Sequence, residues 1–373
     1  MTHNAKKRTL LSVFALLMAG TLAFSGWKLN VLWREESLRK PLIDAIKDHD
    51  LDKVNTLLEE GASADSLDST APAKGFRAIF EEMFLNHNTE IADSALYLAS
   101  ENLDDDICNA LIQHGADVNH QNKHGMTALM SSSNHSDLTL AIALLNHGAK
   151  VMLRNEWGFT ALHFSKMQAL CAELLRRGAN VNARDDSGYT PLQVSCISGS
   201  DECCNYLIEA GSDINSVDNK GVSVLENAVN SNLFAARLLI EKGAKVKYEY
   251  RNPEGYTLMH LAVHAAVQND GNEKIIKLLL MHGVKPDEVD KEGVTPLMIA
   301  CSNGVTPTSE GNLSILNILL AAGADPNHKD NKGETAIERL EATANATHQA
   351  NVIEKKILLL PKKAQRKRNC VRE

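Results

Sequence analysis

The side chains that could carry chemistry in this chain are its 7 cysteines and 14 histidines, which are the residue types used for metal binding, redox reactions and nucleophilic catalysis. Their spacing does not match such sites, because the sequence has no Cys-x-x-Cys pair and no His-Glu-x-x-His helix motif. It also lacks a Gly-x-Ser-x-Gly nucleophile turn and a glycine-rich loop that could cradle a phosphate. We therefore expect no metal site, no cofactor and no enzyme activity.

The elements that hold these residues repeat along the chain. A Thr-Pro/Ala-Leu start is followed about 21 residues later by a Leu-Leu-x-x-Gly-Ala-Asp-x-Asn ending. Clear starts, 30 to 40 residues apart, stand at Thr127, Thr160, Thr190, Ser223, Thr257, Thr295 and Thr335. Two degenerate copies begin at Lys40 and Ser94. The sequence therefore predicts nine repeats over residues 40–360.

Each repeat predicts two helices and a finger. In the clearest copy Thr190 caps the first helix, and Pro191 occupies a first-turn position where its missing N–H is not needed. Gly211 ends the second helix, since glycine adopts the left-handed conformation at little cost. Residues 218–221 then predict the turn of an extended hairpin. Because one such unit cannot bury its apolar face alone, neighbouring units must stack into a solenoid.

These residues resemble the ankyrin repeat family. The resemblance is carried by Gly-Tyr-Thr-Pro-Leu at 188–192, Gly-Phe-Thr-Ala-Leu-His at 158–163 and Leu-Ile-Gln-His-Gly-Ala-Asp-Val-Asn at 111–119. It implies an all-α solenoid of helix-turn-helix repeats with β-hairpin fingers, here placed after an N-terminal hydrophobic helix. Residues 63–93 are expected to be an insertion that replaces one finger, and 352–360 a capping helix before the tail.

The cysteines fall on packing positions of the repeats. Cys108, Cys171 and Cys204 each lie seven residues before the glycine that ends their repeat, and Cys196 and Cys301 stand where small core residues are expected. Equivalent positions in stacked repeats are roughly 10 Å apart, which is beyond disulfide reach. The sequence therefore predicts buried thiols without disulfides. Free thiols favour a reducing compartment.

The histidines also fall on repeat positions. His163 and His260 are the fourth residue of the Thr-Pro-Leu-His phrase, where the family uses the imidazole to brace the turn. His114, His147 and His282 precede the terminal glycine, a position that suits a helix C-terminus.

The N-terminal segment predicts export or membrane anchoring. Residues 6–8 are basic and precede 19 uncharged residues, 9–27, which just span a hydrocarbon core of roughly 30 Å. Ala23 and Ser25 are small residues at the positions that a signal peptidase would read before Gly26. We expect 1–27 to be a signal peptide or a signal anchor, with the solenoid in the periplasm of a bacterium. The alternative is a solenoid tethered on the cytoplasmic side of the inner membrane. The predicted organisation is 1–27 signal or anchor, 28–39 linker, 40–360 repeat domain and 361–373 basic tail.

The charge distribution bears on the partner. The net charge of −8 includes +3 from residues 6–8 and +7 from residues 355–373, so removing these positive charges leaves −18 for residues 9–354. An acidic body argues against nucleic-acid binding, which needs clustered Lys and Arg. It favours a cationic protein partner, with salt-sensitive association.

Aromatic residues near the fingers are the candidate binding residues, because aromatics and Arg are the usual interface anchors. They are Arg154, Trp157, Phe159, Tyr189, Tyr248, Tyr250 and Tyr256. Packing between neighbouring fingers is the alternative role for these side chains. The predicted function is to bind and inhibit or assist another exported protein, as bacterial ankyrin proteins that neutralise or assist secreted lipases do. The alternative is a membrane-tethered cytoplasmic scaffold.

Overall fold

The computed structural model describes five ranges of the chain, 37–68, 93–246, 255–268, 273–302 and 310–339. Helices within these ranges come in successive pairs. They are α1 (37–47), α2 (Leu51–Glu59), α3 (Ala95–Glu101), α4 (Asp105–Gln113), α5 (Ala128–His135), α6 (Leu138–Asn146), α7 (Ala161–Phe164), α8 (Gln168–Arg176), α9 (Pro191–Ser198), α10 (Asp201–Glu209), α11 (Val224–Ser231), α12 (Leu233–Glu241), α13 (Leu258–Gln268), α14 (Glu273–Met281), α15 (Pro296–Ser302), α16 (Glu310–Ala321) and α17 (336–339).

The first helix of a repeat begins where a hydroxyl side chain caps it. The hydroxyls of Thr127, Thr190 and Ser223 accept hydrogen bonds from the backbone N–H three residues later, at 3.2 to 3.3 Å. Such caps satisfy amide groups that a helix start leaves without partners. Helix α7, which follows Thr160, has only four residues. This agrees with the sequence, in which Gly178 lies 18 residues after Thr160 instead of the usual 21.

The chain divides into two compact units, Met1–Glu156 and Trp157–Glu373. In the first unit, α3 packs on α5 and α4 packs on both α2 and α6. In the second, the first helices α7, α9, α11, α13 and α15 stack in sequence, and the second helices α8, α10, α12, α14 and α16 stack beside them. Within each unit these helices therefore form a two-layer array in which equivalent helices of successive repeats pack on one another.

The ends of the predicted insertion form a short hairpin stem. Strand β1 (Leu67–Asp68) pairs antiparallel with β2 (Asp93–Ser94), with Leu67 opposite Ser94. The Ser94 hydroxyl then accepts from the Tyr97 N–H at 3.1 Å and caps α3. Residues 63–68 and 93 therefore keep the finger position of an ordinary repeat, and the extra sequence lies between the two strands, at 69–92, outside the described residues.

Several predicted segments also lie outside the described residues: the hydrophobic run 9–27, the linker up to 36, the capping helix 352–360 and the tail 361–373. Within the ranges that are described, no helix is long and apolar enough to cross a membrane.

The prediction that the cysteines lie beyond disulfide reach is wrong for one pair. Cys171 on α8 and Cys203 on α10 form a disulfide with their Cα atoms 6.4 Å apart. The prediction compared equivalent positions, such as Cys171 and Cys204, but Cys203 lies one residue earlier. One residue is about 100° around a helix, so the Cys203 side chain is turned toward the preceding repeat. Cys108, Cys196, Cys204 and Cys301 are buried thiols, as predicted.

Candidate partner-binding surface

An aspartate holds the turn of four fingers in the second unit. The Asp185 carboxylate accepts the Tyr189 N–H at 2.7 Å, and Asp218 accepts the N–H groups of Lys220 and Val222, both at 2.8 Å. Asp290 and Asp330 make the same bonds in later fingers. All four aspartates are buried. Part of the acidic charge of the chain is therefore used inside the fingers rather than presented to a partner.

Neighbouring fingers are joined edge to edge by hydrogen bonds. The Asp186 N–H donates to the Trp157 carbonyl at 3.0 Å, and the Asn219 N–H donates to the Ser187 carbonyl at 2.9 Å. The Asn219 side-chain amide also donates to the Asp186 carbonyl at 2.8 Å, and the Arg184 guanidinium donates to the Val217 carbonyl at 2.8 Å. These bonds fix three consecutive fingers, which therefore form a pre-organised surface.

Histidines connect the helices to the fingers. His163 Nδ1 accepts the Thr160 backbone N–H at 3.1 Å, so Nε2 carries the proton and donates to the Tyr189 carbonyl at 3.2 Å. His260 bridges the Thr257 N–H and the Val294 carbonyl in the same way. The turn-bracing role predicted for both histidines is confirmed.

Three finger glycines are followed by an aromatic residue, Phe159, Tyr189 or Tyr256, and all three side chains are half-buried. Phe159 lies edge-on to His163, with ring centroids 5.4 Å apart, and Tyr256 stacks on His260 at 5.7 Å. Burial, followed by the nearby Asp218 carboxylate, raises the pKa of Tyr189. Phe159 and Tyr256 therefore pack on a histidine in the first helix of their own repeat, whereas Tyr189 lies beside a carboxylate of the next finger. Only part of each ring is available to a partner.

Trp157 differs from these aromatics because half of its surface, 50%, is exposed. Its backbone is held by the bond from Asp186 described above, so the indole is presented from a fixed position. Arg154 belongs to the first unit; its side chain is exposed, and its carbonyl accepts the Gln121 side-chain amide at 2.8 Å. Tyr248 and Tyr250 lie outside the described residues.

Arg184 and Asn219, whose side chains link the fingers to one another, are not among the residues predicted from the sequence. Both are polar residues in turn regions, and their residue type alone does not indicate that they bridge two fingers. Their backbone partners are 33 residues away in the sequence. This separation is one repeat, and it is the signal in the sequence that could have indicated these bridges between fingers.

No set of three or more His, Cys, Asp or Glu side chains in the described ranges is arranged to hold a metal ion. The buried thiols of Cys108 and Cys301 have raised pKa values, chiefly because burial disfavours the thiolate, and that of Cys301 reaches about 12. Both thiols are therefore protonated and unreactive at neutral pH.

Paired helices stacked in two layers and joined by hydrogen-bonded fingers define a helical repeat protein. A family model described as "Ankyrin repeats (3 copies)" matches residues 70–155, 96–185, 143–218, 165–250 and 263–338, which together cover more than half of the chain. The chain belongs to the ankyrin repeat family.

Three similar proteins each match a short stretch of this chain. Palmitoyltransferase ZDHHC13 of Homo sapiens is 34% identical over 103 residues, which is 27% of this chain and 16% of the relative. The Mus musculus protein of that name is 33% identical over 100 residues, 26% of this chain and 15% of the relative. A Transient receptor potential cation channel subfamily A member 1 homolog of Caenorhabditis elegans is 30% identical over 113 residues, 30% of this chain and 9% of the relative. The matched stretch spans at most about a sixth of these relatives' length.

Proposed function

We propose that the protein acts by binding another protein on its finger surface and catalyses no reaction of its own. The observation that carries the proposal is the half-exposed Trp157 on a row of fingers already fixed by hydrogen bonds. A tryptophan presented from a rigid position is a typical interface anchor. Binding to such a surface loses little conformational freedom, because the fingers are ordered before the partner arrives.

The contribution of Trp157 can be bounded from its exposed area. A tryptophan buries up to about 250 Å² in an interface or core, and half of this side chain is still exposed. Covering roughly 100 Å² at about 25 cal/mol per Å² gives about 2.5 kcal/mol. Truncation to alanine is therefore expected to weaken binding by roughly 70-fold.

The test compares Trp157→Ala with Phe234→Ala. Phe234 is a matched control, since it is also aromatic, 48% exposed, and lies on the second helix α12 rather than on a finger. Tagged wild-type protein and both variants are used as bait in an extract of the source organism, and bound proteins are quantified by mass spectrometry. The protein that is retained is then purified and titrated against each variant.

We expect wild type and Phe234→Ala to retain the same protein and Trp157→Ala to lose it, with no change in melting temperature. Equal retention by the two variants contradicts the finger surface as the binding site. A lowered melting temperature for Trp157→Ala assigns the indole to packing instead. Affinity that falls with added salt is expected for the cationic partner that we favour from the acidic composition.

We further propose that the solenoid is exported or anchored on the outer side of a bacterial inner membrane, where it inhibits or assists another exported protein. The support is the basic cluster 6–8 followed by the uncharged run 9–27. The relatives above are eukaryotic, so the proposal rests on this segment alone. Protease digestion of a C-terminal tag tests it: the tag is cleaved in spheroplasts if the solenoid is outside.

A membrane-tethered cytoplasmic scaffold is the second candidate. Four buried thiols, Cys108, Cys196, Cys204 and Cys301, are compatible with a reducing compartment. A tag that stays protected until lysis favours this candidate and contradicts export. The binding test at Trp157 is unaffected by either outcome.

A further inference from the structure

Two pairs of sulfur atoms meet on helix α10. The first is the Cys171–Cys203 disulfide, which joins α8 of one repeat to α10 of the next. The second consists of the thiols of Cys196 on α9 and Cys204 on α10, whose Sγ atoms are 3.4 Å apart. All four side chains have no exposed surface.

The adjacent cysteines 203 and 204 point in different directions because successive residues are about 100° apart around a helix. Cys203 faces the preceding repeat, and Cys204 faces the first helix of its own repeat. The same two positions of α10 therefore reach two separate partners. Neither pairing prevents the other.

We propose that Cys196 and Cys204 form a second disulfide site, so that the fully oxidised chain carries the links 171–203 and 196–204. The two Sγ atoms need to approach by only about 1.4 Å to reach bonding distance, which is about 2.05 Å. With both bonds, α8, α9 and α10 become one cross-linked group.

The hydrogen bond between the two thiols lowers the pKa of Cys204 and raises the pKa of Cys196. In the first step, the thiolate of one of the two cysteines attacks a small-molecule disulfide such as oxidised glutathione, forming a mixed disulfide and releasing one glutathione thiolate. The other thiol then loses its proton to solvent base and attacks the protein sulfur of the mixed disulfide, which releases the second glutathione.

The two protein thiols are oxidised by two electrons in total, and one glutathione disulfide is reduced to two glutathione molecules. Because both side chains are buried in the folded chain, the oxidant reaches them during folding or during transient opening of α10. The reaction is therefore tested by oxidative refolding of the full chain.

The experiment uses the chain refolded from denaturant in a buffer of oxidised and reduced glutathione. Remaining thiols are alkylated under denaturing conditions, and peptides are mapped by mass spectrometry without reduction. Trypsin together with a protease that cuts after Glu separates the three cysteine-bearing segments, because Glu173 and Glu202 follow Cys171 and Cys196. Residues 203 and 204 stay on one peptide, so variants are needed to assign their links.

In wild type we expect three alkylated cysteines, Cys108, Cys301 and Cys370, and one species in which the three segments are linked. Cys204→Ser is expected to free Cys196 for alkylation and keep the link from Cys171. Cys203→Ser is expected to free Cys171 and keep the link from Cys196. Cys108→Ser is the control and leaves both links unchanged.

Alkylation of Cys196 in refolded wild type overturns the proposal, whether or not the link from Cys171 is present. A link between the segments of Cys171 and Cys196, or loss of both links in either single variant, also overturns it. None of these results depends on a binding partner.

Discussion

The contact between fingers can be tested at Gly188, whose φ of +87° is in the left-handed region. A Cβ at this position would lie 2.7 Å from the backbone N of Asn219, closer than real Cβ atoms approach. That nitrogen donates the 2.9 Å bond to Ser187 that joins the two fingers. Gly188→Ala must therefore move the next finger or distort its own.

Gly178→Ala is the matched control. Gly178 has nearly the same φ, +90°, but a Cβ there would meet nothing within 4 Å. Alanine in the left-handed conformation costs about 1 to 2 kcal/mol, and this penalty applies to both variants. Gly188→Ala additionally loses the hydrogen bond, about 1 kcal/mol, and displaces packed atoms at about 1 kcal/mol or more. The expected difference between the variants is therefore about 2 kcal/mol.

Urea unfolding followed by circular dichroism measures the total loss of stability, and hydrogen exchange measures the local loss. An extra 2 kcal/mol corresponds to roughly 30-fold faster exchange of the Asn219 amide in Gly188→Ala than in Gly178→Ala. Equal unfolding midpoints and equal exchange in the two variants would refute the close approach of the fingers. Exchange that increases only at Gly188 itself would show that the strain stays within one finger.

Three further variants test packing and charge. Cys203→Ser removes a link that closes 32 residues and is expected to lower the free energy of unfolding by about 2 to 4 kcal/mol; with Cys171 also replaced, the loss should not grow. Burial raises the pKa of Glu226 above its ordinary 4.5, so the folded state binds more protons than the unfolded state and loses stability as pH rises through 4.5. Glu226→Gln should therefore stabilise the chain at pH 7 and make the urea midpoint depend less on pH between pH 4 and 7. Burial, with a hydrogen bond to Asp137, raises the pKa of Asp105 from 3.8 to about 6; stability is therefore lost as pH rises from 3.8 to 6, and Asp105→Asn should remove that slope.

The repeat architecture could be predicted from the sequence because residues within each repeat mark where its helices begin and end. A hydroxyl before Pro or Ala marks the start of the first helix, as at Thr190, and a glycine marks the end of the second helix, as at Gly211. These signals depend on local backbone chemistry and need no long-range information. The short α7 was also visible as a reduced spacing between Thr160 and Gly178.

Side-chain partners across repeats were less predictable. The distance between Cys171 and Cys203 depends on which way one residue points around α10, and a shift of one position turns a side chain by about 100°. The spacing argument applies to equivalent positions, and Cys171 and Cys203 are one residue out of register. The sequence also did not show which aromatic side chains are packed and which are exposed. Phe159 and Trp157 are only two residues apart, but Phe159 packs on His163 and Trp157 is half exposed.

The Cys171–Cys203 disulfide also changes how the cysteines bear on location. Buried thiols alone favoured a reducing compartment, which opposed the export signal proposed from residues 9–27. A disulfide between two fully buried positions is instead what an oxidising compartment supports. The cysteines of this chain therefore no longer count against export. If the second link, 196–204, also forms on refolding, four of the seven cysteines are paired, which supports the proposed export. The thiols of Cys108 and Cys301 do not oppose this, because their raised pKa values keep them protonated and inert in either compartment.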